Sequence, residues 1–372
     1  MGMPYELLTT DINPAKLDTY MTKNPWPSQI WKTFFPPKQT PFLSFQTLMG
    51  TEGPPVAADT VAYNSSAPEK TRKTLSKYNG EIPAIRMKKI MDEQAITAYN
   101  ISKATMGVTD TLRDMIFDDV KACYNGVQAQ LDYIALQILC QGTVEFAKTY
   151  QAGVVTANAV DYQLPAARKR KIASATNTRD WNDAATTAMP ITDFRDIHDA
   201  AVAIGRPTPK YALMNRTAFN EMIVRDECAN LVWGLTVNTP TTYAGRPSLS
   251  QLNSALADQH LPQIIVIDTL VYLENADHTL TSANPWTDKY VMFIPELKCG
   301  SMMFGPIAEE SRKPSHVIQS KRDGILISRW GKVDPVAEVT KGETNAFPSW
   351  GSRDDCWRLD VHAAPEADGL DD

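Results

Sequence analysis

TDTLRDMIFDDVKACYNGVQAQLDYIALQILCQGTVEFAK, residues 109–148, carries the strongest periodic signal in the chain and decides its fold. Apolar side chains recur in it at spacings of three and four residues, which predicts one buried stripe on a continuous α-helix. The stripe consists of Leu112, Ile116, Val120, Cys123, Val127, Leu131, Ile134 and Ile138. At 1.5 Å per residue this helix would be about 60 Å long, which exceeds the diameter of most single domains. The stretch therefore predicts a bundle, a coiled coil or an extended subunit, with bends at Gly126 and Gly142.

The stretch KTFFPPKQTPFLSF, residues 32–45, predicts an extended arm upstream of that helix. Its prolines lack an amide donor and push the preceding residues toward extended conformations, so the pattern predicts no helix or tight turn. Four large aromatic side chains lie on or beside it, Trp26, Trp31, Phe34 and Phe35. Because the arm cannot form a hydrogen-bond ladder of its own, we expect this aromatic surface to be buried against something else.

Alternating patterns predict a strand over residues 42–48 and another in EIPAIRMKKIM, residues 81–91. The roughly thirty residues between them are poor in large apolar side chains and can hardly form a core. A loop of that length is unusual inside a compact domain. We therefore expect an extended loop that makes its contacts outside its own domain.

The second half of the chain has the pattern of a compact α/β unit. Residues 150–175 predict a hairpin with a basic turn. From residue 190, ITDFRDIHDAAVAIG predicts an amphipathic helix ended by Gly205, and short strands alternate with helices as far as residue 306. From residue 314 further strands lead into an acidic end. The fold class predicted from these elements is α+β.

Composition narrows the classes of function. The chain has 372 residues and a formal net charge of −6, which argues against a protein whose whole surface binds nucleic acid. No apolar run approaches the roughly 18 to 20 residues that span a bilayer, and the start MGMPYELLTT lacks the features of a signal peptide. We therefore expect a protein made and kept in the cytoplasm.

The sequence offers no recognisable reaction chemistry. It contains no phosphate-binding loop, GxGxxG, HExxH or GxSxG motif. Adjacent carboxylates such as Asp118 and Asp119 are typical of solvated surface. The five cysteines are odd in number and widely scattered, and the five histidines are equally dispersed, so we expect buried reduced thiols and no metal centre. No catalytic residue and no cofactor are predicted.

Charged residues of one sign are instead concentrated in separate segments of the chain. The predicted loop carries a basic cluster, Lys70, Arg72, Lys73 and Lys77. Asp110, Asp114 and Asp118 follow one another at every fourth position of the long helix, so three like charges share one face. This face is either a solvated surface or the receiver of the basic loop of another copy.

The cluster RKRK, Arg168, Lys169, Arg170 and Lys171, is the one patch with the character of a contact to nucleic acid or to other copies of the chain. A solvated turn is the alternative. Four basic residues without interleaved aromatic side chains cannot specify sequence recognition.

The order of these parts resembles the major capsid proteins of tailed bacteriophages, and within them the lambda-like E-type family. The resemblance spans about residues 12 to 361 and is carried by short motifs. These motifs are WKTFFPPKQTPFLSF at the junction of arm and loop, EIPAIRMKKIMDE at the end of the loop, LPQIIVID followed by YVMFIPELKCGSMMFGPI, and the late DPVAEV.

The resemblance implies a tailed-phage major capsid fold with a defined order of domains. Residues 1–45 would be an N-terminal arm, and residues 46–89 an extended loop that overlies a neighbour. Residues 90–189 would form a peripheral domain with the spine helix 109–148 and the basic hairpin 150–175. Residues 190–313 would form the α/β axial domain, and residues 314–372 would return to the peripheral domain and end in a tail. Trp26, Trp31, Phe34 and Phe35 would then fill grooves on a sister subunit.

The implied function is that of a structural major capsid protein that self-assembles into pentamers and hexamers of an icosahedral shell around double-stranded DNA. The expected partners are other copies of the chain, a separate scaffolding protein, a portal and a decoration protein, without sequence recognition of DNA and without a membrane. A separate scaffold is expected because the stretch before the loop is too short for a helical scaffolding segment. The expected location is the virion, with assembly in the host cytoplasm. Two alternatives stay open: an encapsulin-like compartment of the same fold, and an α/β enzyme built on residues 190–306.

Overall fold

The structure is a computed structural model of the chain. It describes residues 19, 29–50, 75–106, 110–145, 159–171, 180–182, 188–233, 246–274, 279–312 and 317–362. For residues 45–50, 75–81, 102–103, 106, 110–117, 145 and 159 it describes the backbone alone.

Helices and strands alternate along the described residues. The helices are α1 (Trp31–Phe34), α2 (Glu93–Met106), α3 (Asp110–Gln141), α4 (Pro190–Ala203), α5 (Arg216–Ile223), α6 (Asp226–Trp233), α7 (Leu249–Asp258) and α8 (Ala308–Ser311). The strands are β1 (Pro37–Gln39), β2 (Ser44–Gly50), β3 (Leu75–Glu81), β4 (Ala84–Met91), β5 (Thr143–Glu145), β6 (Ala159–Asp161), β7 (Lys169–Lys171), β8 (Tyr211–Asn215), β9 (Gln263–Ile267), β10 (Val271–Glu274), β11 (Leu280–Ala283), β12 (Tyr290–Ile294), β13 (Gly300–Phe304), β14 (Ile318–Arg322), β15 (Ile325–Val333), β16 (Val336–Trp350) and β17 (Trp357–Asp360). Short 3-10 turns lie at Ala166–Arg168 and Arg353–Asp355.

The long helix predicted by the apolar stripe is α3. It has 32 residues, which corresponds to about 48 Å. Every member of the stripe from Val120 to Ile138 is at most 1% exposed, so this part of the prediction is confirmed, whereas Leu112 and Ile116 lie outside the described side chains. The helix ends before the predicted residue 148 because Gly142 has φ +81°, a left-handed conformation that ends helices. Its amide donates to the carbonyl of Ile138 at 2.8 Å.

Gly126 allows a close approach within this helix. The helix continues through Gly126, and a Cβ at that position would overlap the sulfur of Met87 on β4. A larger residue there would force the Met87 side chain to move, so the glycine permits close packing against the strand, a role that its ability to bend a helix did not suggest.

The first compact unit contains the described residues 29–46, 79–106, 110–135, 300–312 and 317–349. Its sheet has the order β1, β13, β16, β15, β14, and β4 also pairs with β16. The fifteen-residue strand β16 runs antiparallel to β15 and to β4. Helices α2 and α3 contribute Tyr99, Val120 and Tyr124 to an apolar cluster that also contains Ile325 and Ile327 of the sheet.

The arm is only partly extended. Residues 31–34 form the short helix α1, which the proline pattern did not predict. Beyond it, β1 runs parallel to β13, and the amide of Met302 donates to the carbonyl of Pro36 at 3.0 Å. The amide of Thr40 donates to the carbonyl of Phe304 at 2.8 Å. The arm therefore pairs with a distant strand of its own chain, which a local pattern cannot reveal.

The second compact unit contains the described residues 47–50, 75–78, 136–145, 159–171, 180–182, 188–233, 246–274, 279–299 and 350–362. Its five-stranded sheet has the order β7, β17, β12, β8, β9. Helix α4, predicted to end at Gly205, ends at Ala203. Its first free amides, those of Ile191 and Thr192, donate to the carboxylate of Glu227 at 2.7 and 3.0 Å. An acidic group at this end also complements the helix dipole.

The boundaries of the two units differ from the predicted domain boundaries. Strand β13, predicted in the axial domain, belongs to the sheet of the first unit. Strand β17, predicted to return to the peripheral domain, belongs to the sheet of the second unit. The predicted basic hairpin instead places β7 parallel to β17, while β5 pairs with β6. These assignments depend on pairing between strands far apart in sequence, which composition does not encode.

A buried ion pair lies between the two long strands of the first unit. The guanidinium of Arg329 on β15 donates to Glu338 on β16 at 2.8 Å, and each side chain is 2% exposed. Burial lowers the pKa of Arg329, and the nearby carboxylates of Glu338 and Asp119 oppose that shift. Removing one partner would leave a buried charge without its counterion, which is far more costly than losing an exposed pair.

We predict that Glu338→Gln lowers the free energy of unfolding by about 3 to 5 kcal/mol. The matched control is Glu310→Gln, which breaks the more exposed pair of Glu310 with Lys321 and should cost about 0 to 1 kcal/mol. Urea denaturation of the unassembled subunit, followed by circular dichroism, measures both. Equal costs for the two variants would show that the buried pair contributes no more than a surface pair.

Candidate assembly surfaces

The arm is anchored on α3 through Trp31. The backbone amide of Trp31 donates to Asp132 at 2.8 Å, and its indole Nε1 donates to Gln128 at 2.8 Å. The indole ring lies 5.9 Å from the ring of Phe304 on β13, measured between centroids. Gln128 and Asp132 are both fully buried. Trp31 therefore satisfies polar groups of α3 that water cannot reach.

A chain of polar contacts continues from this anchor to the turn between β14 and β15. The amide of Gln128 donates to the hydroxyl of Tyr124 at 3.2 Å, and that hydroxyl donates to Asp323 at 2.7 Å. Lys32 lies 3.1 Å from the same carboxylate. Burial alone would raise the pKa of Asp323, but the hydrogen bond from Tyr124 and the charge of Lys32 outweigh it and lower that pKa. The contact therefore stabilises the fold above the carboxyl's unfolded pKa and is lost as the pH falls through its folded pKa.

The arm residues assigned to a sister subunit lie in the core of their own chain. Trp31, Phe34 and Phe35 are 0%, 2% and 0% exposed. They have almost no surface left for a second subunit, so the assignment of these three side chains to a groove on a neighbour is corrected. The physical reason is that the buried polar groups of α3 and the edge of β13 already provide the surface that the proline-rich stretch lacks. Trp26 lies outside the described residues.

The arm still presents apolar surface at its end. Phe42 is 67% exposed and Leu43 is 55% exposed, directly before β2. The strands predicted over residues 42–48 and 81–91 correspond to β2 and β4. Strand β2 pairs with β3, which lies in the stretch predicted as loop, in a separate two-stranded sheet. Lys70, Arg72 and Lys73 lie outside the described residues, and the side chain of Lys77 on β3 is likewise not described.

Of the three aspartates predicted to form the acidic face of α3, the structure describes the side chain of one. Asp118 is exposed, whereas the side chains of Asp110 and Asp114 lie outside the described residues. The adjacent Asp119 is half-buried, and burial raises its pKa against the opposing charge of Lys89. Asp118 is therefore the carboxylate of this doublet that is available to another molecule.

The basic cluster begins in the 3-10 turn at Ala166–Arg168 and continues along β7, and its two arginines pack on one aromatic ring. The guanidinium carbon of Arg168 lies 4.4 Å from the ring centroid of Trp357, and that of Arg170 lies 5.5 Å from the same centroid. Arg168 also donates to the carbonyl of Asp354 at 3.0 Å, and burial, followed by the charge of Arg206, lowers its pKa. Arg168 and Arg170 thus pack on β17 of their own chain.

Lys169 faces an open depression of about 490 Å³ in the second unit. Two further cations line it, Lys289 and Arg358, together with Asp288 and Tyr290. Lys289 lies 3.3 Å from Asp360, and Arg358 donates to the carbonyl of Gln141 at 2.8 Å. Lys169, Arg170 and Lys171 are all exposed, so three of the four cations of the cluster carry its outward charge.

Two kinds of feature, a membrane-spanning helix and a cluster of metal ligands, are absent from the described residues. None of the helices they form is long and apolar enough to cross a membrane. They also bring together no group of three or more His, Cys, Asp or Glu side chains that could hold a metal ion.

A family model described as phage major capsid protein E matches residues 13–361. The chain belongs to this family. The protein is therefore a structural component of a phage capsid, found in the virion, where it associates with further copies of itself into an icosahedral shell. Membership of a capsid family also implies a role that is structural and not enzymatic, so the alternative of an α/β enzyme is not supported.

Solved structures share the fold of this capsid protein. One is a protein described as a prophage capsid protein from E. coli CFT073, at 12% identity and a TM-score of 0.54, with 94% of this chain and 99% of that chain covered. Another is a phage-related protein from Bordetella bronchiseptica RB50, at 12% identity and a TM-score of 0.53, with 95% and 99% covered. A comparison with curated proteins finds no significant match. The fold predicted from the resemblance is thereby confirmed.

Sequence reasoning missed the polar receivers of the arm in this capsid protein. Gln128 and Asp132 lie four residues apart within the most apolar part of α3, so they share a helix face beside the apolar stripe. Polar residues at that spacing inside a long apolar stretch were the available signal. They indicate a buried partner with hydrogen-bond donors, which Trp31 supplies.

We predict that removing residues 1–40 lowers the free energy of unfolding of the capsid protein, because the deletion removes α1 and β1 and leaves Gln128 and Asp132 without Trp31. The point variant Trp31→Ala should cost about 3 to 5 kcal/mol, and Trp31→Phe, which loses the indole donor and part of the ring but keeps the backbone donor, about 1 to 3 kcal/mol.

Urea denaturation of the unassembled subunit, followed by circular dichroism, provides the measurement. Phe42→Ala is the surface control and should change the free energy of unfolding by less than about 0.5 kcal/mol. If Trp31→Ala behaves like Phe42→Ala, the arm does not depend on its anchor.

Proposed function

We propose that the protein forms the pentamers and hexamers of an icosahedral shell that encloses double-stranded DNA. The observation that carries this proposal is the match of the capsid family over residues 13–361, together with a fold shared with a prophage capsid protein over almost the whole chain. In this proposal the first compact unit serves as the peripheral domain. The second unit serves as the axial domain near the five- and six-fold centres.

The shell is held by several contacts of modest strength. Phe42 and Leu43 offer exposed apolar surface at the base of the loop strands, where each buried large side chain contributes roughly 1.5 to 3 kcal/mol. The basic loop residues Lys70, Arg72, Lys73 and Lys77 and the acidic face of Asp110, Asp114 and Asp118 provide opposite charges. A subunit that binds several neighbours at once dissociates less readily than the affinity of any single contact would allow.

The charged contacts set register more than affinity. Exposed ion pairs contribute about 0 to 1 kcal/mol each, so the loop and the acidic face of α3 would steer the encounter of two copies and suppress wrong pairings. The exposure of Asp118 supports its availability for this role.

The modest acidity of the chain suits a wall around packaged DNA. A wall that neutralised many phosphates would bind DNA tightly and impede its movement. The net charge is −6, and two of the four residues in the basic cluster pack on Trp357 of their own chain. We propose that contact with DNA is weak and independent of sequence, with the exposed Lys169, Arg170 and Lys171 as its outward cations.

The proposal includes partners and a place of assembly. A shell that mixes pentamers and hexamers of one chain needs something to select between them at each position, and a separate scaffolding protein can do so. A portal and a decoration protein complete the set, and assembly takes place in the host cytoplasm.

The test is negative-stain microscopy of the expressed full chain, with and without the neighbouring scaffold gene product, followed by analysis of particle contents. Closed shells with the absorbance of nucleic acid are expected when the packaging partners are present. Closed shells that consistently hold one protein cargo would favour the encapsulin-like compartment. A small soluble oligomer under every condition would overturn the proposal.

We predict that the double variant Asp114→Lys and Asp118→Lys blocks shell formation because it replaces the acidic face with cations opposite the basic loop. Adding Lys73→Glu and Lys77→Glu should restore part of the assembly. Microscopy and sedimentation measure the yield of shells, and circular dichroism checks that the subunit is folded.

The charge-matched control is Asp196→Lys with Asp258→Lys, which makes the same change in charge at exposed positions of α4 and α7. Shells should form normally from this control. Normal assembly of the first double variant, or failure of both double variants alike, would refute the pairing of loop and helix.

A further inference from the structure

Two cysteines far apart in sequence meet in the second compact unit. Cys299 and Cys356 both lie against Ser352, whose hydroxyl is 3.0 Å from the Cys299 carbonyl and 3.8 Å from the Cys356 sulfur, and the two cysteines are 1% and 0% exposed. Cys299 lies between β12 and β13, and Cys356 lies directly before β17. Their separation along the chain explains why sequence analysis treated all five cysteines as isolated buried thiols.

Backbone contacts through Ser352 hold the two cysteines together. The amide and the hydroxyl of Ser352 both donate to the carbonyl of Cys299, at 3.1 and 3.0 Å. The thiol of Cys356 donates to the carbonyl of Ser352 at 3.2 Å, and the Ser352 hydroxyl lies 3.8 Å from the same sulfur. The thiol of Cys299 makes only a long contact with the carbonyl of Glu296, at 3.7 Å. One serine therefore fixes the backbones that carry both sulfurs.

The pair occupies a particular point in the path of the chain. The chain leaves the second unit after Cys299, contributes Gly300–Ser349 to the first unit, and re-enters the second unit at Trp350. A covalent bond between Cys299 and Cys356 would close this entire excursion. It would also fasten β17, which pairs with β7 and β12.

The other three cysteines have different surroundings. The thiol of Cys123 donates to the carbonyl of Thr340 at 3.5 Å, and that of Cys228 donates to the carbonyl of Met222 at 3.3 Å. Cys140 lies 3.6 Å from the hydroxyl of Thr287. All three are buried, so they serve as internal controls within the same molecule.

We propose that Cys299 and Cys356 are a modification site, at which a small peroxide oxidant forms an intramolecular disulfide in the assembled capsid protein. The thiolate of one cysteine attacks the O–O bond of hydrogen peroxide, which gives a sulfenic acid and hydroxide. The second sulfur displaces the hydroxyl group of the sulfenic acid. In total, two thiols and one hydrogen peroxide give one disulfide and two waters, so the cysteines lose two electrons and the peroxide gains them.

The surroundings predict how this reaction depends on conditions. Burial excludes bulky oxidants, so a small peroxide is the appropriate reagent. The hydrogen bond with Cys356, together with burial, holds the pKa of Cys299 well above its ordinary value. Because the thiolate is the reacting form, the rate should rise with pH, by up to roughly 100-fold between pH 7 and pH 9. Disulfides persist in oxidising surroundings, which a released virion meets and a reducing cytoplasm does not provide.

The test uses shells of the full chain, purified with reductant and then treated with hydrogen peroxide at pH 7 and pH 9 without denaturant. After quenching, the protein is denatured and alkylated, and its intact mass and non-reduced peptides are measured. The expected result is a loss of two alkylation sites and two hydrogens, and one linked peptide pair that contains Cys299 and Cys356. Cys123, Cys140 and Cys228 should stay alkylatable. Treatment with dithiothreitol should reverse the link and lower the melting temperature again.

The matched variants are Cys356→Ser and Cys228→Ser. The first should abolish the linked peptide and the shift in melting temperature, and the second should leave both intact. Melting under reducing conditions checks that the variants are folded.

Several results would overturn the proposal: both thiols remaining alkylatable after prolonged oxidation at pH 9, separate oxidation to sulfinic or sulfonic acid without a linked peptide, or links distributed over all five cysteines. These readouts do not depend on what the shell contains.

Discussion

The packing of the first unit depends on how the polar side chains of α3 find hydrogen-bond partners when that helix is buried. Of the 22 residues of this helix from Val120 to Gln141, 14 are buried, and two of the buried residues, Gln128 and Asp132, are polar. A buried amide or carboxylate without a hydrogen bond costs several kcal/mol, roughly what a large apolar side chain gains on burial. Trp31 resolves the conflict with two donors, its backbone amide and its indole, and its ring covers the same surface. The arm is thus a structural part of the subunit before any second copy is present.

This arrangement separates two roles within the arm. The prolines at residues 36 and 37 prevent α1 from continuing, and the backbone beyond them adds a parallel strand to β13. That pairing fixes where the chain emerges at Phe42 and Leu43 and where β2 begins. Because the anchor is intramolecular, the loop strands start from a defined position, and the entropy of ordering the arm is lost on folding and not on assembly. Weak contacts between copies can then suffice.

Sequence reasoning succeeded where the signal was local and periodic. The apolar stripe of α3 and the amphipathic α4 follow from spacings of three and four residues, and β2 and β4 follow from alternation on each side of an apolar-poor stretch. Strand β3, inside that stretch, was not predicted. It failed where partners lie far apart in the chain. Nothing local indicates that residues 37–39 pair with residues 302–304, or that residues 169–171 lie beside β17. The aromatic residues of the arm were identified correctly as needing a partner, but the pattern could not say whether that partner was the same chain or another.

The same limit applies to the basic cluster. Four consecutive cations suggest one uniform segment, yet Arg168 lies in a 3-10 turn and only Lys169–Lys171 form strand β7. Both arginines lie over the ring of Trp357, although Arg170 stays exposed. Guanidinium groups stack on an aromatic face more readily than ammonium groups do, because they are planar and more weakly hydrated. The two arginines can therefore pack on a residue of their own chain while the cluster keeps charge at the surface.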